Sequence, residues 1–434
     1  MNLLDLPLEI FHLILAEVID LVHCQDFTEL QLVNKTFARE AQKVLFLNRQ
    51  FRSCGNWNAM ALSYLRYRVL APDADLYYAT RTVRQCTDWI IGASPTANPQ
   101  QPEKLCYALC HSVICRGTQI LQRTFTGLDC NFTETQKRQG EEQASDAPEH
   151  RLCAAACIGR LDLVQSLVDQ GVDVNVESDI YGAPLWCAAR GGHLPVVQWL
   201  LHKGADSYSG AICWREGDKE TIVDHLRRMN GGYRPYTALQ AAAAAGHEEL
   251  VRLFLEPPFN VSRPVCSLLH ASISAARKGH ANVLRVLLAS VDITTITQEL
   301  FTMALDIALK KSADQGHLEC MRCLLDAGAP VNSYYYNAGV PSTAWWAATN
   351  GQNEAIELLL ERGADINADM RFTDGPLAGA CCGGFPRTVA LLLDRGARLV
   401  GEMGESALRR TFTGEMKWQR MPYSTMHIDT TGKM

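Results

Sequence analysis

The chain has 434 residues, of which 47% are apolar and 20% are charged. This composition excludes a chain that is disordered throughout, and it excludes a collagen or coiled-coil fibre. With 41 Lys and Arg against 47 Asp and Glu, the formal net charge is −6, so no overall basic surface attracts a nucleic acid. Length alone suggests about three domains, a count that an internal repeat would overturn.

The amino terminus and the cysteines bear on the compartment. The apolar run at residues 1–22 is interrupted by acidic residues and has neither a basic leader nor a cleavage site, so we predict no signal peptide. No stretch reaches 18 uninterrupted apolar residues, which predicts no membrane span. The 16 cysteines are scattered and are expected to be reduced thiols. We therefore predict a cytoplasmic or nuclear protein with no membrane and no nucleic-acid partner.

A unit of about 33 residues recurs along the chain, with one interval longer by 21 residues. Each unit has a glycine, and the fourth, fifth, seventh, eighth and ninth residues after it are apolar at all but two of the 35 positions, Ser166 and Thr388. Such spacing predicts an amphipathic helix after each glycine. The seven glycines are Gly159, Gly192, Gly246, Gly279, Gly316, Gly351 and Gly384.

A short Ala-rich helix is predicted before each of these glycines, as in PLWCAARGG and TALQAAAAAG. In five units a second glycine follows twelve residues after the first, where a helix of about nine residues ends and needs a left-handed residue. Segments such as VDVNVESDIYGAP predict a hairpin-like loop to the next unit. The predicted fold class is therefore all-α, built from units of helix, tight turn, helix and loop.

These units resemble the ankyrin repeat over residues 150–400, as in APLWCAARGGHLPVVQWLLHKGAD. The resemblance implies a solenoid of about seven repeats, in which each unit buries its apolar face against its neighbours. Trp186 and Trp345 replace the histidine of the family pattern, and the second glycine is missing after the third and fourth second helices. The insertion near 207–235 is interpreted either as a partner contact or as a loop without function.

Residues 1–50 have a different pattern of two or three short helices, with Asp5 and Pro7 at one start and Asp26 and Glu29 placed as a capping box at another. They resemble the F-box, which implies binding to the Skp adaptor of a cullin-RING ubiquitin ligase. The alternative is an amphipathic hairpin that caps the solenoid. The resemblance assigns adaptor binding to Leu6, Pro7, Ile10, Ile14, Leu15, Val33 and Lys35.

Residues 51–149 are interpreted as a helical linker region, in which Gly117 marks either a degenerate repeat or ordinary helical packing. Residues 401–434 are interpreted as a capping segment and tail. Cys320 and Cys323 have the spacing of a zinc knuckle, but the repeat register places both at core positions. No catalytic motif occurs, so we predict no enzyme, cofactor or metal site; a cofactor site within 51–149 stays as a minor hypothesis.

The family resemblance places the two residues before each first glycine, with the loop tips, on the concave face of the stack. Three tyrosines in an extended loop tip join them, because exposed aromatics are frequent in interfaces, although they could equally pack on the adjacent loop. The predicted surface comprises Arg190, Arg277, Lys278, Asp314, Gln315, Tyr334, Tyr335, Tyr336, Thr349 and Asn350.

Together these features predict a substrate receptor of a Skp-cullin-F-box ubiquitin ligase, whose repeats bind a target protein that the sequence does not identify. The alternative is a ligase-independent ankyrin scaffold whose amino terminus only caps the solenoid.

Overall fold

The computed structural model describes residues 62, 65–66, 69–70, 78–93, 101–116, 147–207, 237–257, 259, 265–292, 297–332, 342–367 and 375–398. Every named element in these ranges is a helix, and the only β pairing among them is a bridge between Ser178 and Gly182. The chain divides into two compact units, residues 1–205 and 206–434. The prediction of an all-α chain of helix pairs is confirmed.

The first unit contains two repeats preceded by a pair of longer helices. We call the helix before each first glycine the inner helix and the one after it the outer helix. Inner helices α3 and α5 pack on each other, and the α1–α2 pair packs on α3. The helices are α1 (Tyr78–Gly92), α2 (Gln101–Arg116), α3 (Pro148–Cys157), α4 (Leu161–Asp169), α5 (Pro184–Gly191) and α6 (Leu194–His202).

The second unit contains five repeats, and its inner helices pack on one another in chain order. Two of these inner helices, with 14 and 18 residues, are longer than the short helices that the sequence predicts. The helices are α7 (Ala238–Ala245), α8 (Glu248–Leu255), α9 (Val265–Lys278), α10 (Ala281–Ala289), α11 (Gln298–Gln315), α12 (Leu318–Asp326), α13 (Thr343–Thr349), α14 (Asn353–Glu361), α15 (Gly375–Gly383) and α16 (Pro386–Asp394).

The first glycine of each repeat has a φ between +69° and +83°, a left-handed conformation that favours glycine. A Cβ would also collide with a side chain of the next repeat at five of these positions, and at Gly351 it would lie 2.5 Å from the ring of Phe385. The five are Gly159, Gly246, Gly279, Gly316 and Gly351. The histidine that follows Gly192 also joins two repeats, because His193 Nε2 lies 2.9 Å from the carbonyl oxygen of Cys157 in the preceding inner helix. The repeat period therefore reflects direct contact between successive turns.

The outer helices bury a narrower stripe than the sequence predicts. The fifth and eighth residues after the glycine are buried in all seven repeats, whereas the seventh is half-buried in five of them, exposed at Ser166 and buried only at Leu358. Cys323 occupies that seventh position, so the prediction that it is a core residue is wrong, while Cys320 is buried as predicted. The exception Thr388 is also buried, and its hydroxyl donates to Asn353 Oδ1 at 2.7 Å.

The loops are fixed by hydrogen bonds that cross from one repeat to the next. The hairpin-like loop of the first unit is confirmed, since the amides of Ser178 and Gly182 each donate to the other's carbonyl. In the second unit, Asn332 Nδ2 donates to the carbonyl of Gly363 at 2.9 Å, and its Oδ1 accepts from the amide of Asp365. These bonds hold successive repeats in register, which positions the ends of the inner helices.

Candidate functional site

Within each unit, the predicted surface residues that the structure describes lie at the ends of inner helices, and we call these residues the inner row of that unit. Arg190 is half-buried in the last turn of α5, in the first unit. In the second unit, Arg277 and Lys278 end α9, Asp314 and Gln315 end α11, and Thr349 ends α13 with Asn350 directly after it. The structure therefore brings six of the predicted residues together on three consecutive inner helices.

Asp314 joins two of these helix ends. Its Oδ1 accepts a hydrogen bond of 2.7 Å from Asn350 Nδ2, and its Oδ2 accepts one of 2.8 Å from Gln315 Nε2. The same Asn350 amide donates to the carbonyl of Trp346 at 3.1 Å. Both carboxylate oxygens are thus engaged by amides of the inner row, which fixes the side chains between α11 and α13.

A lysine and a tryptophan lie beside this carboxylate. Lys311 Nζ is 5.4 Å from the ring centroid of Trp346, within the range of a cation–π contact. The ring of Trp345 meets that of Trp346 edge to face at 5.5 Å. Burial lowers the pKa of Lys311, Asp314 opposes this shift and Arg277 adds to it. The three charged groups therefore influence one another electrostatically.

Lys311, Trp345 and Trp346 are not among the surface residues that the sequence predicts. Lys311 and Trp346 occupy the fifth position before the first glycine, and the same position in α15 is Gly379. A Cβ at Gly379 would lie only 3.1 Å from Trp345 Cδ1, so the glycine leaves room for the indole. The signal that could have found these residues is the pair of consecutive tryptophans, where other inner helices have mostly small residues.

We define the cationic patch as Arg277, Lys278, Lys311, Asp314, Trp346 and Asn350. It has three basic side chains and one carboxylate, and that carboxylate already accepts two amide hydrogen bonds. The basic residues at the end of α9 also complement the partial negative charge of a helix carboxyl terminus. A surface of this kind can bind an anionic group next to an apolar one.

The notable polar side chains of the first unit are cysteine thiols, in contrast to the charged side chains of the cationic patch. Five buried cysteines of this unit interact with the fully buried Tyr181 or with one another, and burial raises the pKa of Cys86 to about 12 and that of Cys187 well above its ordinary value. Protonated buried thiols are poor nucleophiles and poor metal ligands. The described residues contain no group of three or more His, Cys, Asp or Glu that could hold a metal ion. The five are Cys86, Cys110, Cys153, Cys157 and Cys187.

The remaining predicted site residues lie outside the described residues, and so do Gly117, the insertion and residues 401–434. They are Leu6, Pro7, Ile10, Ile14, Leu15, Val33 and Lys35 of the F-box-like segment, with Tyr334, Tyr335 and Tyr336.

Comparison with known proteins identifies the repeat. A family model described as "Ankyrin repeats (3 copies)" matches residues 110–210 and 296–370, and one described as "Ankyrin repeats (many copies)" matches residues 185–255. Together they cover just over half of the chain.

Among curated relatives, "Ankyrin repeat and KH domain-containing protein mask-1" of Caenorhabditis elegans is 28% identical over 289 residues, which are 62% of this chain and 11% of that protein. "Probable E3 ubiquitin-protein ligase XBOS33" of Oryza sativa subsp. japonica is 28% identical over 190 residues, 43% of this chain and 32% of that protein. The chain thus spans at most about a third of these relatives. The solved ankyrin repeat domain of human ASB11 is 23% identical, with 59% of this chain and 89% of that one covered and a TM-score of 0.31.

Within the part of the chain that the structure describes, no helix combines the length and apolar character needed to cross a membrane.

Proposed function

We propose that this chain, which belongs to the ankyrin-repeat family, binds a target protein through the inner row of its second unit. The cationic patch carries this proposal. It combines a tryptophan, three cations and fixed amides on three consecutive inner helices, and tryptophan and arginine are enriched among the residues that dominate binding energy in interfaces.

We further propose that residues 1–50 recruit the Skp adaptor, which makes the chain a substrate receptor of a cullin-RING ubiquitin ligase. The support is the F-box-like pattern of Leu6, Pro7 and Ile10, followed by Ile14 and Leu15. A relative named as a probable E3 ubiquitin-protein ligase offers a precedent for similar sequence in a ligase. In this role the chain makes no bond itself and acts by raising the effective concentration of the target near the ligase.

The packing of the first unit favours docking over capping as the role of residues 1–50. The inner helix α3 packs against α5 and also against α1 and α2. Arg151 of α3 lies 5.5 Å from the ring of Trp89 in α1, and Ser112 Oγ of α2 lies 3.1 Å from Cys157 Sγ. Because the α1–α2 pair already covers α3, the stack has less need of a further cap.

Co-purification of the full chain with the purified Skp adaptor tests the ligase role. Leu6→Asp places a charge in the apolar docking segment and Pro7→Ala removes the proline that begins it, so each variant should lower adaptor recovery at least tenfold. Pro95→Ala, a proline substitution outside the motif, is the matched control and should leave recovery unchanged.

An adaptor that never co-purifies with the wild-type chain refutes the ligase role and leaves target binding standing. Deletion of residues 1–50 tests the alternative, in which these residues only cap the solenoid. Removal of a cap lowers the melting temperature of the repeats. Removal of an independent docking module leaves that melting temperature nearly unchanged.

A further inference from the structure

We infer that the α13 end of the second unit's inner row recognises a side chain of the target protein that donates an N–H hydrogen bond, and that it rejects a carboxylate. The recognising residues are Thr349 and Asn350, which we call the acceptor pair. Asp314 is a positioning residue that fixes the direction of the Asn350 amide. This inference rests on the proposed target binding and specifies the chemistry of the partner.

Both amide hydrogens of Asn350 are used inside the protein. Its Nδ2 donates to Asp314 Oδ1 at 2.7 Å and to the carbonyl oxygen of Trp346 at 3.1 Å. A carboxylate and a carbonyl can only accept, so the NH2 group must face them and the amide oxygen must face away. Among the described residues no donor bonds to this oxygen, and it is not fully buried. Asn350 therefore offers a partner an acceptor and no donor.

Thr349 has the same polarity. Its hydroxyl donates to the carbonyl oxygens of Trp345 and Trp346, which lie 2.7 Å and 3.1 Å from Oγ1. A hydroxyl has one hydrogen and two lone pairs, so only lone pairs of this oxygen are left for a partner. Thr349 is the last residue of α13, Asn350 follows directly, and both are half-buried. Two neighbouring side chains at this helix end thus present acceptors.

Asp314 holds the Asn350 amide from the neighbouring repeat. It lies at the end of α11, and its second oxygen, Oδ2, accepts from Gln315 Nε2 at 2.8 Å. Both carboxylate oxygens are therefore engaged by amides. An apolar side chain at residue 314 would remove the shorter of the two bonds that orient the Asn350 amide, and that amide could then turn its NH2 group outward.

The polarity of the acceptor pair decides which groups it can bind. A carboxylate placed against it would bring oxygen against oxygen with no hydrogen between them, which leaves both sides without a hydrogen bond. An N–H donor makes that bond. The equivalent residues of α9 are Arg277 and Lys278, whose side chains have donors and no acceptor. The two helix ends are thus opposite in hydrogen-bonding character.

Selection of short random peptides displayed on phage, with the full chain immobilised, tests the inference. The informative peptides are those that bind the wild-type chain but not Asn350→Leu, a variant that keeps the side chain's size and removes its acceptor. These peptides should share a position occupied by Asn, Gln, Lys or Arg. Asn or Gln there identifies a carboxamide donor, and Lys or Arg identifies a cationic one.

Synthetic analogues of a selected peptide measure the preference by fluorescence anisotropy. An analogue with Asp for Asn, or Glu for Gln, Lys or Arg, at the shared position should bind the wild-type chain at least about tenfold more weakly. Asn282→Leu is the matched control, because Asn282 is an exposed asparagine of the outer helix α10. It should leave the affinity of the selected peptide within about twofold, with the melting temperature of each variant measured alongside.

Asp314→Leu tests the positioning role through the ratio of the two affinities. The ratio should narrow to less than about threefold, because the released amide can offer either its NH2 group or its oxygen to the peptide. A merely structural role would weaken both peptides alike and leave the ratio unchanged, and that result would remove Asp314 from the account.

Two results overturn the inference and leave target binding standing. One is a carboxylate analogue that binds as tightly as the selected peptide or more tightly. The other is a set of peptides that Trp346→Ala weakens but Asn350→Leu does not. If no peptide is enriched over the empty support, the inference also fails, and target binding is then decided separately with a folded target protein.

Discussion

The two units are built from the same repeat, but the residues buried inside them differ and so do the residues of their inner rows. In the first unit, six cysteines are buried among the described residues, and Arg190 is the only charged residue in its inner row. In the second unit, α11 contains a buried ion pair, with Lys310 Nζ 2.8 Å from Asp306 Oδ2. The cationic patch lies at the carboxyl-terminal ends of the inner helices of this unit. The glycine turns, with φ from +69° to +83°, are the same in both.

This difference shows that stacking depends on a few positions in each repeat and leaves the others free to vary. The left-handed glycines and the buried fifth and eighth residues of the outer helices are shared by all seven repeats. The sixth residue before the first glycine differs: it is Cys153 in α3 and Lys310 in α11. Function is therefore to be sought at the positions that differ between the units.

The largest expected effect is the loss of folding stability when this sixth residue is replaced, and we expect the loss to differ between the two units. Lys310→Ala leaves the carboxylate of Asp306 buried without its cation, and Asp306 Oδ1 already lacks a hydrogen bond among the described residues. Urea denaturation should show a loss of about 3–5 kcal/mol in the free energy of unfolding. Cys153→Ala removes only a thiol that donates to the carbonyl of Gly182 at 3.0 Å, and should cost about 1 kcal/mol.

The double variant Asp306→Leu/Lys310→Met is the control, because it removes both charges and should recover most of the stability. A loss below about 1 kcal/mol for Lys310→Ala would contradict the picture of a dry, charged interior in the second unit.

A smaller expected effect is a loss of folding stability at acidic pH. Burial lowers the pKa of His280, the carbonyl of Ala244 opposes the shift, and His247, His317 and Lys278 add to it. The unfolded chain takes up this proton at about pH 6.5, and the folded chain only at lower pH. The stability that His280 contributes is therefore present above about pH 6.5 and is lost as the pH falls towards the folded pKa.

The wild-type chain should lose stability between about pH 7.5 and pH 5.5, and His280→Gln should make that loss smaller. The difference should be less than about 1 kcal/mol, because the ring is only half-buried. Glutamine is a suitable replacement because Gln352 holds the same position two repeats later. In the first unit, burial also lowers the pKa of His150, but Asp179 and Glu149 oppose that shift. An unchanged pH dependence in the variant would show that other groups control the acid response.

Much of the fold follows from the sequence because the repeat signals are local. The glycine period and the apolar spacing reflect turns and contacts that recur in each unit, so the helices and their order are predictable. The lengths of α9 and α11 are not predictable in this way, because the first turns of these two helices come before the residues that recur in every unit. Cys323 was misplaced because helical spacing alone does not distinguish a buried face from the edge of that face.

The candidate site was predictable only in part. The family register places Arg277, Asp314 and Asn350 on one row, and the structure joins the last two by a hydrogen bond of 2.7 Å. Lys311 and Trp346 meet only because α11 and α13 stack at equal register, a relation between repeats that no single repeat reveals. The F-box-like segment and the three tyrosines stay predictions.

The central claim is that the inner row of the second unit carries target binding. The structure contains a matched pair of cation–π contacts. Lys311 Nζ lies 5.4 Å from the ring of Trp346 in the cationic patch, and Lys203 Nζ, directly after the first unit's outer helix α6, lies 5.3 Å from the ring of Trp199. Calorimetric titration with a target protein identified by proximity labelling should show that Lys311→Glu weakens binding at least about tenfold, whereas Lys203→Glu changes it less than about twofold. Equal effects, or a loss confined to Lys203→Glu, would contradict the claim.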